Sequence, residues 1–176
     1  MTPKLLKPAE YAEQKIITDI LSRQYAQGDA LPAERTLAKK LGVTRPTLRE
    51  TLQRLAKEGW VTIRHGKPTR VNHYLENGGL AILSALVRHG RQLPKGMVGH
   101  LLEVRTAMLP DIAQKAAANN GQTLVTFLEQ AQGLKPEASV YADYDWHLQV
   151  LMVKSCNNPV FNMIFNDFTP LYHLLG

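Results

Sequence analysis

Residues 33–60 leave this chain few folds to choose from. "AERTLAKKL" carries Leu37, Ala38 and Leu41 on one side and stops at Gly42, a residue that readily takes the left-handed conformation closing a helix. Thr44 and Pro46 then open a second helix, threonine as N-cap and proline in a first turn where its missing N–H costs little. Thr47 and Glu50 also have capping-box spacing, which leaves the start open by a few residues. Leu48, Leu52 and Leu55 recur at i, i+4, i+7 and face inward. Arg45, Arg49 and Gln53 are left on the outer face, and Gly59 ends the helix. A short helix, a glycine turn and a second amphipathic helix with a basic start form a helix-turn-helix pattern.

The continuation, "WVTIRHGKPTRVN", alternates Trp60, Thr62 and Arg64 against Val61, Ile63 and His65, turns at Gly66 and returns through "TRV". This predicts a small basic hairpin, a wing, bearing Arg64, His65, Lys67 and Arg70. A helix presented by its N-terminus to a major groove needs long planar donors in its first two turns. Arginine binds guanine O6 and N7 through two hydrogen bonds, while threonine hydroxyls and early backbone N–H groups hold phosphates. Taken alone, Arg45 and Arg49 are ordinary surface charges, with Glu50 near enough to pair locally. Helix-turn-helix spacing, the wing and the charge distribution together favour DNA contact. Residues 1–75 hold 14 Lys+Arg against 7 Asp+Glu, and residues 76–176 hold 7 against 8, so the basic excess belongs wholly to the first module.

The first module opens with "PAEYAEQKIITDILSRQ", in which Ala12, Ile16, Ile17, Ile20 and Leu21 make an apolar stripe. After the wing, "NHYLENGGLAILSALVRHG" has Leu80, Leu83 and Val87 at helical spacing, weakened by Gly78 and Gly79. From residue 94 the pattern is helical. Met97, Leu101, Val104, Met108 and Ile112 form one stripe, which Pro110 is expected to kink. "QTLVTFLEQAQ" is a further short helix, Val140, Tyr144, Leu148 and Leu151 mark another, and the last runs from about 159 through Phe161, Ile164, Phe165, Phe168, Leu171, Tyr172 and Leu175. The fold class is therefore mainly α: a winged helix-turn-helix over 1–73, a helical linker over 74–92 and an all-helical bundle over 93–176. The last helix is apolar on much of its surface, and the bundle is expected to be C-terminally incomplete. The apolar runs are too short to span a membrane, so no membrane partner is expected. The one cysteine, Cys156, cannot close an internal disulfide, fits a reducing cytoplasm and suits a small core filler.

"LPAERTLAKKLGVTRPTLRETLQRLAKEGWVTIRHGKPTRV" resembles the winged helix of the GntR family of bacterial transcription regulators. Ala33, where the family often has serine, and the "HGKPT" wing point to its branch governing fatty acid metabolism. Weaker similarity continues through "LLEVRTAML" and "DYDWHLQVLMVKSCNNPVF". The resemblance implies a cytoplasmic homodimer on a short palindromic operator in double-stranded DNA, acting as repressor or activator, with long-chain acyl-CoA as effector and no cofactor. By matching position it implies that Arg35, Arg45 and Arg49 meet bases or phosphates, that Thr44 and Thr47 hold backbone, and that His65 and Gly66 sit at the wing tip. Pro46 stands where close relatives of that branch tend to have threonine and has no N–H or hydroxyl to donate, so one phosphate contact is expected to be missing. Arg105, in "EVR", matches a position that faces the effector cavity; otherwise it is a surface charge beside Glu103 or Asp111.

Asp143 and His147 stand at i, i+4 on one helix face, a spacing that can ligate a metal. Related regulators use such a pair with two later histidines to bind a small carboxylate through the metal. Only His173 follows here, and a histidine on an apolar face is more often a core residue, so no metal is expected. An enzyme using Asp143 and His147 as acid and base lacks a nucleophile elbow, a phosphate loop or a metal triad. A purely architectural DNA binder is the remaining alternative.

Overall fold

The computed structural model describes residues 6–89 and 94–175, with side chains as far as residue 169. The chain divides into two compact units, Met1–Gln92 and Leu93–Gly176. Among the described residues, no helix is long and apolar enough to cross a membrane.

In the first unit α1 (Pro8–Leu21) starts with proline in its first turn, and Glu10 reaches back to accept from the Lys7 N–H at 3.0 Å. Its stripe buries Ala12, Ile16, Ile17 and Ile20. α2 (Glu34–Leu41) buries Leu37, Ala38 and Leu41 and ends on Gly42 at φ 67°. α3 (Arg45–Glu58) resolves the ambiguity over its start: Thr44 is the N-cap, its Oγ accepting from the Thr47 N–H at 3.3 Å. Leu48, Leu52 and Leu55 are buried where α3 meets α1 and α2. Each contributes about 1.5–3 kcal/mol of apolar burial, so these three leucines fix which face of α3 stays outside. Thr51, also fully buried, satisfies its hydroxyl by donating to the Thr47 carbonyl at 3.0 Å.

The wing forms from β1 (Val61–Thr62) and β2 (Arg70–Val71), antiparallel with Val61 opposite Val71 and Thr62 opposite Arg70. A single bridge joins Ala30 to Arg70. The expected alternation fails at Trp60, because Trp60 and Val61 are both buried. Trp60 belongs to the cap of α3, not to the strand. Its N–H donates to the Leu55 carbonyl and that of Gly59 to Ala56, a Schellman closure. The indole is thereby turned inward against Tyr74, with ring centroids 5.0 Å apart.

The connector contains α4 (Tyr74–Asn77) and α5 (Leu80–His89). Its buried face is Ile82, Ala85 and Leu86, whereas Leu80, Leu83 and Val87 are only half-buried, which corrects the expected stripe. Gly78 supplies the reason. A Cβ there would lie 2.2 Å from Ile82 Cγ1 and 2.5 Å from the Tyr74 carbonyl, so the chain turns tightly and tucks Ile82 underneath. As far as residue 89 the expected linker therefore lies within the first compact unit, with α5 against α1; residues 90–92 fall outside the described range.

In the second unit α6 (Met97–Glu129) keeps helical dihedrals through Pro110 and leaves them at Asn120, at φ −151° and ψ 43°. Thr123 Oγ donates to Asn120 Oδ1 at 2.6 Å, and Gly121 follows, so the break sits at an Asn-Gly pair instead of at the proline. Of the expected stripe only Ile112 is buried; Val104 is exposed. A 3-10 turn (Gln130–Gly133) leads to α7 (Ala138–Ser155) and α8 (Pro159–Leu175). On α7 the buried residues are Trp146, Gln149, Val153 and Ser155, one or two positions on from the expected Tyr144, Leu148 and Leu151, which with Val140 are half-buried. The core joins Ile112, Ala116, Leu124, Trp146, Val153, Cys156 and Phe165, with Cys156 as filler. The side chains of Leu171, Tyr172, His173 and Leu175 lie outside the described range. Leu102, Val125, Leu128, Tyr141, Val160 and Met163 remain exposed.

Candidate nucleic-acid interface

The inward leucines of α3 turn Arg45 and Arg49 outward, and the start of α2 and the wing flank them. Arg35, Arg45, Arg49, His65 and Gly66 line one open groove, together with Gln53, Arg64 and Lys67. All eight are exposed. Among the described residues the side chains of Arg35, Arg45, Arg64, His65 and Lys67 have no hydrogen-bond or ion-pair partner. A row of unneutralised donors along a groove is an anion-binding surface by its electrostatics alone. Gly66 at φ +69° makes the sharp turn that carries the wing's basic residues past the end of β1.

Thr44, Pro46 and Thr47 do not line that groove; they adjoin it at the N-terminal end of α3. Thr44 and Thr47 share a hydrogen bond between their hydroxyls at 2.8 Å, so one of the two still has a proton to give. Pro46 occupies the first turn and is exposed beside Arg45 and Arg49. With Thr47 N–H held by the cap and Pro46 lacking one, the Arg45 N–H is the free donor of the first three helical positions.

Arg49 departs from what its sequence neighbourhood suggests. It does not pair with Glu50; that carboxylate lies 3.8 Å from Arg54, which also meets Glu13 at 2.9 Å. Arg49 Nη2 instead donates to Glu34 Oε2 at 3.3 Å, across from α3 to the first residue of α2. Glu34 lines the same groove and is the site residue that sequence reasoning missed. No periodicity links residues fifteen apart on two helices, so only the tertiary fold reveals the pair.

Residues 8–71 match the model of bacterial regulatory proteins of the gntR family, and residues 72–176 match that of the FadR C-terminal domain. The fatty acid metabolism regulator protein of Shewanella amazonensis is 40% identical over 169 residues, covering 96% of this chain and 70% of that one. Those of Edwardsiella ictaluri and Klebsiella pneumoniae are 37% and 38% identical over 176 residues, covering all of this chain and 74% of theirs. The chain belongs to the fatty acid metabolism regulators of the GntR family. It is a DNA-binding transcription regulator with a winged helix and a helical C-terminal domain, not an enzyme.

In the helical domain of this GntR regulator, Arg105 Nη2 donates to Asp145 Oδ1 at 2.8 Å, not to Glu103 or Asp111. Both partners are about 40% exposed, so the pair is worth at most about 1 kcal/mol. Asp145 also accepts from Gln149, which is buried. Asp143 and His147 are exposed, and His147 Nδ1 donates to the Asp143 backbone carbonyl at 2.6 Å. That bond turns the ring along its own helix. Among the described residues no three His, Cys, Asp or Glu side chains come together in a metal-binding group.

Proposed function

We propose that this cytoplasmic regulator binds a palindromic operator as a homodimer, one winged helix per half-site, and that long-chain acyl-CoA loosens that binding. The observation that carries the reading is the groove of unpaired basic side chains in a chain whose remaining residues match the FadR C-terminal domain. Arg45 and Arg49 read base edges in the major groove, and Arg35 meets a base or phosphate from the start of α2. Thr44, Thr47 and the Arg45 N–H hold phosphates, and His65 and Gly66 follow the backbone or minor groove from the wing. Pro46 leaves that phosphate cluster one donor short. Arg105 exchanges Asp145 for an anionic group of the effector. A small carboxylate bound through a metal at Asp143 and His147 is not favoured: among the described residues no three His, Cys, Asp or Glu side chains come together, and residues 72–176 match the FadR C-terminal domain.

The test is fluorescence anisotropy with a labelled palindromic operator of the fatty acid metabolism regulators and a scrambled duplex, at fixed salt, with and without oleoyl-CoA. The proposal expects a preference for the palindrome that oleoyl-CoA reduces. Binding blind to the scramble refutes the operator assignment; specific binding indifferent to oleoyl-CoA refutes the effector.

A further inference from the structure

Among the groove's cations beside α3, Arg49 is the one held by a carboxylate, and that carboxylate is itself in the groove. An acid on a surface that meets a polyanion weakens every phosphate contact nearby, so its presence there needs a compensating use. Glu34 is the first residue of α2, with its side chain 30% exposed, and takes one guanidinium nitrogen of Arg49, which is 65% exposed. The pair stands on two helices locked together by Leu37, Leu41, Leu48 and Leu52, all buried, so its geometry is built into the core. Arginine has five donors in a rigid planar fork. Engaging one edge leaves the other free and fixes its plane, which suits a bidentate acceptor and not a phosphate that approaches from any direction.

We propose that Glu34 is a positioning residue that makes Arg49 selective: it orients the guanidinium for a base edge and holds it away from phosphates. The proposal rests on the DNA-groove assignment above and deepens it. Its consequence is a trade. Glu34 lowers affinity for all DNA through its charge, and lowers it least where a guanine presents O6 and N7 to the free edge of Arg49.

The experiment measures Kd of the full chain and of Glu34→Gln for the palindromic operator and the scrambled duplex across a salt series, with Tm of each variant. Glu34→Gln is expected to bind the scrambled duplex ~3–10-fold more tightly, with operator affinity unchanged or weaker, so that the preference falls by about tenfold. The salt dependence of scrambled binding should steepen by about one phosphate contact as Arg49 is released. In an Arg49→Gln background the same change at Glu34 should leave the preference unmoved, both duplexes gaining only the small and equal amount that one removed negative charge supplies. The proposal is overturned if Glu34→Gln weakens both duplexes by one factor along with Tm, which marks a merely structural role at the start of α2. It is also overturned if the gain on scrambled DNA is as large without Arg49 as with it, which marks a bulk charge effect alone. A parent chain with no preference for the palindrome sinks the operator reading, and this proposal with it.

Discussion

Replacing Gly59 by alanine should cost this regulator far more stability than adding one methyl group suggests. Gly59 closes α3 at φ 93°, and its N–H bonds the Ala56 carbonyl while Trp60 bonds Leu55. A Cβ at this position would stand 2.7 Å from Gly78 Cα and 2.8 Å from the Asn77 carbonyl, both backbone atoms that cannot rotate away. Two costs therefore add. The left-handed torsion is worth about 1–2 kcal/mol for a residue with a Cβ. Relieving the contact displaces the 74–79 turn, which loosens Ile82 and the seat of Tyr74 on Trp60, typically about 1–3 kcal/mol for overpacking. A total near 3 kcal/mol lowers Tm by more than about 10 °C in a unit of this size. Thermal and urea unfolding measure it, and Gly59→Asn separates the causes. Asparagine tolerates the torsion but carries the same Cβ, so contact predicts that Asn is nearly as damaging as Ala. A loss below about 1 kcal/mol for Gly59→Ala, or full rescue by Asn, refutes the close-approach argument.

The pH dependence of stability should carry two opposed contributions from the junction of α1, α3 and α5. Burial holds the His89 imidazole below its usual value near 6.5, Arg88 adding to the effect and Glu13 opposing it; its Nδ1 is buried without a partner among the described residues. The unfolded chain then binds the proton more readily, so stability falls as pH drops through about 6.5. His89→Gln should flatten that acid-side loss in urea unfolding across pH 7.5 to 5.5. Burial, then Glu13, raises Glu58 above its usual 4.5, so this group costs stability as pH rises from there, and Glu58→Gln should stabilise the chain at neutral pH. Arg105→Ala, losing an exposed pair with Asp145, should change stability by less than about 1 kcal/mol while abolishing the response to oleoyl-CoA. An unchanged oleoyl-CoA titration removes Arg105 from the effector site.

The parts that local rules govern were legible in the sequence. Gly42, Thr44, Pro46 and Gly59 end and start helices through their own backbone preferences, and Leu48, Leu52 and Leu55 orient α3 through period alone. Legibility failed where a residue serves two elements. Trp60 looked like a strand residue because alternation cannot tell that its N–H is spent capping α3. Pro110 was the expected kink, yet the dihedrals stay helical through it, since a helix survives one lost hydrogen bond. The helical dihedrals end instead at Asn120, whose side-chain oxygen accepts from the Thr123 hydroxyl and which Gly121 follows. The Glu34–Arg49 pair and the Arg105–Asp145 pair lie fifteen and forty residues apart on different helices, and each arginine has nearer acids in sequence. Charge alone gives no reason to prefer the distant one; the helix-on-helix registry does.

That registry also bears on how an effector can act. α5 lies on α1, α1 and α2 lie on α3, and the turn before α5 meets the α3 cap through Gly59 and Gly78. With Ile16, Leu37, Leu48, Leu55 and Trp60 almost fully buried, the winged helix has little room for internal rearrangement. A displacement imposed on α5 therefore moves the winged helix as one body and leaves Arg35, Arg45, Arg49 and His65 in their mutual positions. In the acyl-CoA reading the ligand must then change the distance between two recognition helices on DNA, not the shape of either one. This yields a discriminating measurement. Oleoyl-CoA should weaken binding to the full palindrome by about tenfold or more and leave binding to a single half-site within about twofold, anisotropy being read on both duplexes at one salt concentration. Equal loss on both duplexes would mean that the ligand reshapes the groove itself, and the rigid-body argument from these buried residues would be wrong.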